Sequence, residues 1–459
     1  MKRTLLRIVA GLLLISFAAC TTMKPMQQPN TPNATGTLTP IELPSQWPEE
    51  PIVTDPPVVP ISEGDDIEPE EPTDLSLPDV SCYADFAHVL CASLIDGKSN
   101  RNFSPISVYL ALAMLTEGAG SVTRAELLRL LGCESIEQLR GVVAGMLETL
   151  SIDEDTSKLD LHNSLWMAKD VNGLPVEFND AFLTELAETY RSEANTVEFG
   201  KQSASQQIAD WVRTQTRDKI KLDPSAFQFG PSTIAVLINT IYLKDNWAQS
   251  FSETSTEPGA FYGLNEKGQP ETMTVDYMRR FDKNCVVSQG DGWLRYRVYL
   301  SRIGYVSFVL PDEGVSLDHL LGSPEALDKL LHQGVDKAFD VSLMIPKFSF
   351  QDKAELTALL ASLGLLHCFN PGADFTNMCD ASCMVDSVLQ ESFIGVDENG
   401  VEAAAYTMIT MRNTAFSPVE RERLDFHLTR PFLYAIESHD GTLLFVGTVT
   451  EPSASKLNP

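Results

Sequence analysis

Basic residues are scarce in this chain. Lys and Arg number 34 against 63 Asp and Glu, a formal net charge of −29 over 459 residues. That balance excludes the basic face a nucleic-acid partner requires, and reads as a solvated acidic surface. Histidines number seven; they are scattered and form no base-and-nucleophile grouping. No Gly-x-Ser-x-Gly elbow and no His-Glu-x-x-His pair occurs, so the common hydrolase and zinc-peptidase signatures are missing and no enzyme is expected. The apolar run Leu5 to Ala19 is shorter than the ~20 residues that span a bilayer as a helix. Of the eight cysteines, Cys20 stands apart, and the other seven leave at least one unpaired. Cys82 and Cys91, nine residues apart in one predicted helix, lie on the order of 13 Å from each other, too far for a bridge. His367, Cys368, Cys379 and Cys383 have no zinc-finger spacing. The expectation is free thiols, no metal and no cofactor.

The ends of the chain differ sharply in composition. Met1-Lys2-Arg3 is basic, Leu5 to Ala19 is apolar, and Phe17-Ala18-Ala19-Cys20 closes the run with small residues. Residues 1–19 read as a signal peptide that contributes nothing to the fold. The stretch resembles a bacterial lipoprotein signal, with Phe17 where a leucine is usual. That resemblance implies acylation of Cys20 and a lipid-anchored protein of the bacterial cell envelope, periplasmic or on the cell surface. Thr21 to Asp79 holds thirteen prolines, twelve acidic residues and one lysine. With Cys20 it forms a disordered or polyproline-like tether, residues 20–79, reaching on the order of 150–180 Å when extended.

From Val80 onward the pattern is that of one large α+β domain. Val80 to Leu94 recurs at helical spacing. Ala92 to Ser99 mimics a phosphate loop but leaves a helix where a true one leaves a strand, so nucleotide binding is rejected. Ser104 and Ser107 flank the start of an apolar helix, Val108 to Leu115, and suit a cap. Further helices are predicted over Thr123 to Leu131, Asn179 to Thr189, Ser203 to Thr216 and Ala354 to Leu363. Leu161 to Met167 alternates as a strand. Thr233 to Leu243 is continuously apolar, as in a strand buried on both faces, and Asn239 interrupts it with an amide that needs partners. Asp440-Gly441 between apolar runs predicts a hairpin turn.

One stretch is unlike the rest: Val396-Asp397-Glu398-Asn399-Gly400-Val401-Glu402-Ala403-Ala404-Ala405-Tyr406-Thr407-Met408. From Val401 it alternates with period two, as a half-buried strand does. Its small side chains bury little, and no proline breaks it before Pro418, so it can pair on both sides. Such a segment suits a strand in one state and a loop in another. Glu398, Gly400, Val401, Glu402, Ala403, Ala404 and Ala405 resemble the hinge of the serpins, the serine protease inhibitor superfamily. The resemblance extends over residues 80–452, through Phe103-Ser104-Pro105 with Ser107, through Asn239, Tyr242, Lys244, Trp247 and Phe251, through Lys347, and through Arg430 to Gly447. It implies a serpin fold with a mixed central sheet, further sheets, about nine helices and an exposed reactive loop at about 398–425 within a domain 80–459. It implies a monomeric suicide inhibitor that traps a serine or cysteine endopeptidase as a covalent complex, the loop entering the central sheet. It also implies a Lys347–Glu398 pair, contributing about 1 kcal/mol or less if partly exposed. The usual spacing places the reactive bond at Thr414–Ala415; Arg412–Asn413 is the trypsin-like alternative. A non-inhibitory member acting as a surface binding protein is the rival function. Two departures stand out. Gln390 replaces a usual histidine, leaving its pairing with Ser107 and Asn239 open, and Thr414 to Pro431 is longer than in common members.

Overall fold

The computed structural model describes residues 9–19, 81–225, 229–265, 267–323, 325–400 and 421–452. Among them are nine α-helices, two sheets of seven and nine strands, and a two-stranded ribbon. The helix Pro105–Gly118 is buried along its whole length. An apolar helix without a polar face can only sit inside, and this one packs beneath the seven-stranded sheet.

That sheet runs, edge to edge, Phe348–Glu355, Cys383–Val396, Val9–Ala19, Thr233–Lys244, Lys158–Ala168 and Ile152–Asp153; Ser192–Val197 pairs with Lys158–Ala168 in parallel. The third strand is one the sequence reading does not include in the domain. Val9–Ala19 lies in the stretch read as a leader, and in this uncleaved chain it is a middle strand, antiparallel to both neighbours. Its side chains explain the placement. Leu13, Ile15 and Phe17 join the main core, while Leu12 and Leu14 join a second cluster with Trp166, Ile208, Val212, Val236 and Ile238. A strand covered on both faces needs apolar residues on both, and Leu12 to Ile15 with Phe17 supply them. Phe17 meets Phe375 edge-on at 5.3 Å, and the Ser16 and Ser387 hydroxyls lie 2.9 Å apart.

Thr233–Lys244 is buried from Thr233 to Leu243, as the continuous apolar run requires. The expected helix at Ala354 to Leu363 is shorter. Phe348–Glu355 is a strand that alternates inward and outward, and the helix is confined to Thr357–Ser362. The nine-stranded sheet runs Arg423–His427, Val335–Pro346, Pro270–Gly290, Trp293–Tyr299, Gly304–Pro311, Phe432–Ser438, Leu443–Val449 and Arg101–Phe103, with Glu257–Leu264 on Pro270–Gly290. The Asp440-Gly441 turn closes its predicted hairpin, Gly441 at φ +84. The segment 401–420 connects the end of Cys383–Val396 in one sheet to Arg423–His427 in the other.

Candidate functional site

The site begins where the hinge strand, Cys383–Val396, ends. Asp397 and Gly400 pair with each other, and Gly400 also pairs with Asn246. Trp247 organises this turn. Its indole N–H donates to the Asp397 carbonyl (2.8 Å) and its backbone N–H to the Asn399 carbonyl (3.2 Å). The Phe251 N–H donates to the Glu398 carbonyl (2.9 Å). Gly400 has φ +110, and a Cβ there would come 2.3 Å from Trp247 N. Only glycine fits a backbone that is both left-handed and this close to another chain segment.

Glu398 is buried, and the expected pair with Lys347 is formed. The ammonium donates to both carboxylate oxygens, at 2.9 and 2.8 Å, and the Thr256 hydroxyl donates to one at 2.8 Å. Burial pushes the carboxyl pKa up, but the Lys347 ammonium, backbone N–H and Thr256 bonds outweigh it and hold it below its ordinary 4.5. The Glu398 side chain is only 6 % exposed, so the pair matters more than the partly exposed one anticipated. Thr256 was not anticipated; it lies 142 residues from its partner and no local pattern marks it.

Eight residues before Glu398, within the same strand, the middle of the sheet is polar. Gln390 is buried. Its Oε1 accepts from Ser104 N (3.0 Å), and its Nε2 donates to the Ser104 carbonyl (2.9 Å). It reaches neither Ser107 nor Asn239. The reason is Leu13, which stands opposite Gln390 on one side and opposite Asn239 on the other. Asn239 instead donates to Asn163 Oδ1 (2.9 Å), and Asn163 donates to the Tyr190 carbonyl (2.8 Å). Asn163 too escaped the sequence reading, although the alternating strand that carries it was legible. Among the described residues Ser104 Oγ, Ser107 Oγ and Asn239 Oδ1 are buried without a hydrogen-bond partner. Ser104 occupies the cap position of its helix but makes no side-chain cap bond.

Several predicted residues lie outside the described residues: the hinge positions Val401, Glu402, Ala403, Ala404 and Ala405, the bonds Thr414–Ala415 and Arg412–Asn413, and Cys20. No disulfide joins any two of the seven described cysteines. His367 pairs with Glu126 (2.6 Å). Among the described residues the metal-capable group is elsewhere and was not foreseen. His88, Asp328 and His332 bring ligand atoms within 4.8 Å of one another, from the helices Ser81–Leu94 and Ala326–His332.

Comparison with known proteins agrees with this geometry. A family model described as serpin (serine protease inhibitor) matches residues 81–452. Serpin A3-5 of Bos taurus is 30% identical over 389 residues, covering 81% of this chain and 89% of its own. Leukocyte elastase inhibitor of Xenopus laevis is 30% identical over 370 residues, covering 77% and 93%. The native structure of tengpin, a thermophilic serpin, superposes with a TM-score of 0.67 at 24% identity, covering 85% of this chain and 96% of that one. The chain belongs to the serpin family, whose members are mostly protease inhibitors.

Proposed function

We propose that this protein is a suicide-substrate inhibitor of serine endopeptidases, and of permissive cysteine endopeptidases, acting by insertion of its reactive loop. The observation that supports the reading is the place of Val9–Ala19. A strand lies between the hinge strand and Thr233–Lys244, so those two can stand one strand apart with the rest of the fold intact.

The chemistry follows from that space. The nucleophile of the target attacks the carbonyl of Thr414 and forms an acyl-enzyme, releasing the amine of Ala415. The cut frees residues 401–414 to enter the sheet. If they continue the Asp397–Gly400 pairing, counting back along the hinge strand and forward along the loop would put Thr407 opposite Gln390 and Thr414 opposite Cys383. Thr407 would then bring a hydroxyl to the polar middle of the sheet. Fourteen residues at ~3.3 Å each carry the attached enzyme ~45 Å. Each ladder bond adds about 1 kcal/mol net, enough in sum to distort the enzyme before water releases it. The loop-out fold is then kinetically trapped, above the loop-inserted state in free energy. Acylation of Cys20 would anchor this activity in the cell envelope, with residues 20–79 as tether.

The test mixes endopeptidases with the chain, with its N-terminal strand intact and broken. A detergent-stable complex, with a released peptide starting at Ala415, is the expected result. Clean cleavage by every protease without a complex would favour the surface-binding role. Val401→Arg, placing a charge at the first inserting position, should convert inhibitor to substrate; unchanged inhibition would count against insertion.

A further inference from the structure

The N-terminal strand and the reactive loop claim the same space. Val9–Ala19 pairs with the hinge strand from Ala10 opposite Phe393 to Ala19 opposite Cys383. On the insertion reading, a loop strand continuing the Asp397–Gly400 pairing would cover that same stretch, Ala404 opposite Phe393 through Thr414 opposite Cys383. Both segments would run antiparallel to both neighbours, entering at the hinge end. Only one strand fits.

We propose that the uncleaved N-terminal segment is an internal plug, which holds the chain in a strand-filled, non-inhibitory state until it is removed. This rests on the insertion reading above. The composition of the two segments favours the plug. Leu12, Leu13, Leu14, Ile15 and Phe17 are all buried in the sheet, whereas the competing residues 401–414 include three alanines, three threonines and the charged Glu402 and Arg412. Large apolar side chains buried on both faces hold a strand more firmly than small ones do. Leu13 also explains why the polar middle is incompletely satisfied. It sets an isobutyl group between the amides of Gln390 and Asn239, where the loop would set the hydroxyl of Thr407.

Release needs one covalent step. An endopeptidase hydrolyses the Ala19–Cys20 peptide bond; water supplies the hydroxyl of the new Ala19 carboxylate and a proton to the Cys20 amine. The strand is then a separate peptide, without the high effective concentration that its covalent link gave it. Once it dissociates, the sheet is open to the loop. Processing at Cys20 would thus arm the inhibitor as well as create its anchor site.

The experiment uses the full chain and two variants, Leu13→Asp/Ile15→Asp and Ser16→Pro. The first puts charges into the core, and the second removes a ladder N–H. Amide hydrogen exchange reads the plug directly. Residues 9–19 should exchange at least ~100-fold more slowly in the full chain than in either variant, with Thr233–Lys244 protected in all three. A synthetic peptide of residues 401–414 should bind both variants and not the full chain. Covalent complex with a target endopeptidase should rise at least ~10-fold in the variants, a shift of about 1.4 kcal/mol in effective competition. Fast exchange of residues 9–19 in the full chain would overturn the proposal. So would equal complex formation by all three chains. Protection of residues 9–19 and selective peptide binding, with no complex from any chain, would uphold the plug and refute the inhibitor reading.

Discussion

The upper end and the middle of the central sheet are built on opposite terms. At the top the hinge glutamate and the tryptophan are paired: Glu398 with Lys347 and Thr256, the Trp247 indole with the Asp397 carbonyl. In the middle, Ser104, Ser107 and Asn239 each carry a buried polar atom without a partner among the described residues. The contrast teaches where the molecule is clamped and where it is poised. A satisfied cluster resists opening, whereas an unsatisfied one gains from any rearrangement that brings it a hydroxyl.

Substitutions at the two places should therefore differ in sign and size. Gly400→Ala should cost the most, about 2–3 kcal/mol, because φ +110 is closed to alanine and its Cβ would meet Trp247 N. Denaturant unfolding would measure the loss. A loss under about 0.5 kcal/mol would mean that the turn is not held by Trp247.

Lys347→Ala should follow at about 2 kcal/mol. It leaves Glu398 buried and unpaired, but the Lys347 side chain is 26 % exposed, so the cost stays below the roughly 3–5 kcal/mol of a fully buried broken pair. A double-mutant cycle with Glu398→Gln isolates the pair from the rest.

Acid should separate the two regions next. The Glu398 carboxyl is held below its ordinary 4.5, burial opposing and the Lys347, backbone and Thr256 bonds prevailing. A depressed carboxylate contributes its stability above the unfolded value and loses it as pH falls through the lower folded value. Exchange at Asp397 to Gly400 should accelerate as pH falls below the ordinary 4.5 and through the lower folded value, while the middle, with no carboxylate among Gln390, Asn239, Asn163 and Ser107, should not respond. Glu398→Gln should abolish the difference.

Ser107→Ala should have the smallest effect, within about 0.5 kcal/mol and of stabilising sign, since it removes a buried hydroxyl that has no partner. A loss above about 1 kcal/mol would mean that the hydroxyl is satisfied in solution.

The two regions also differed in how far the sequence exposed them. The hinge was legible because its residues are distinctive and adjacent: glutamate, glycine and alanines in one run, with Lys347 placed by the serpin resemblance. The Asp440-Gly441 turn was legible from local chemistry alone. The partners Thr256 and Asn163 were not, because 142 and 76 residues separate them from Glu398 and Asn239 and only the folded sheet brings them close. Val9–Ala19 is ambiguous for a different reason. A uniformly apolar run satisfies a secretion leader and a strand buried on both faces equally well, and nothing within the run distinguishes them. The helix start at Thr357 was placed early because Ala354 and Glu355 suit a helix, yet they complete a strand pairing with Gln390 and Leu389.

The central claim is that the sheet accepts one strand between Cys383–Val396 and Thr233–Lys244, and that the reactive loop can be that strand. Thermal unfolding before and after a single cut in residues 401–420 tests it most directly, in the Leu13→Asp/Ile15→Asp chain. Ten or more new ladder bonds, at about 1 kcal/mol each, should raise the melting temperature by roughly 10 °C or more. An unchanged melting temperature, with the cut loop still exchanging freely, would contradict the account.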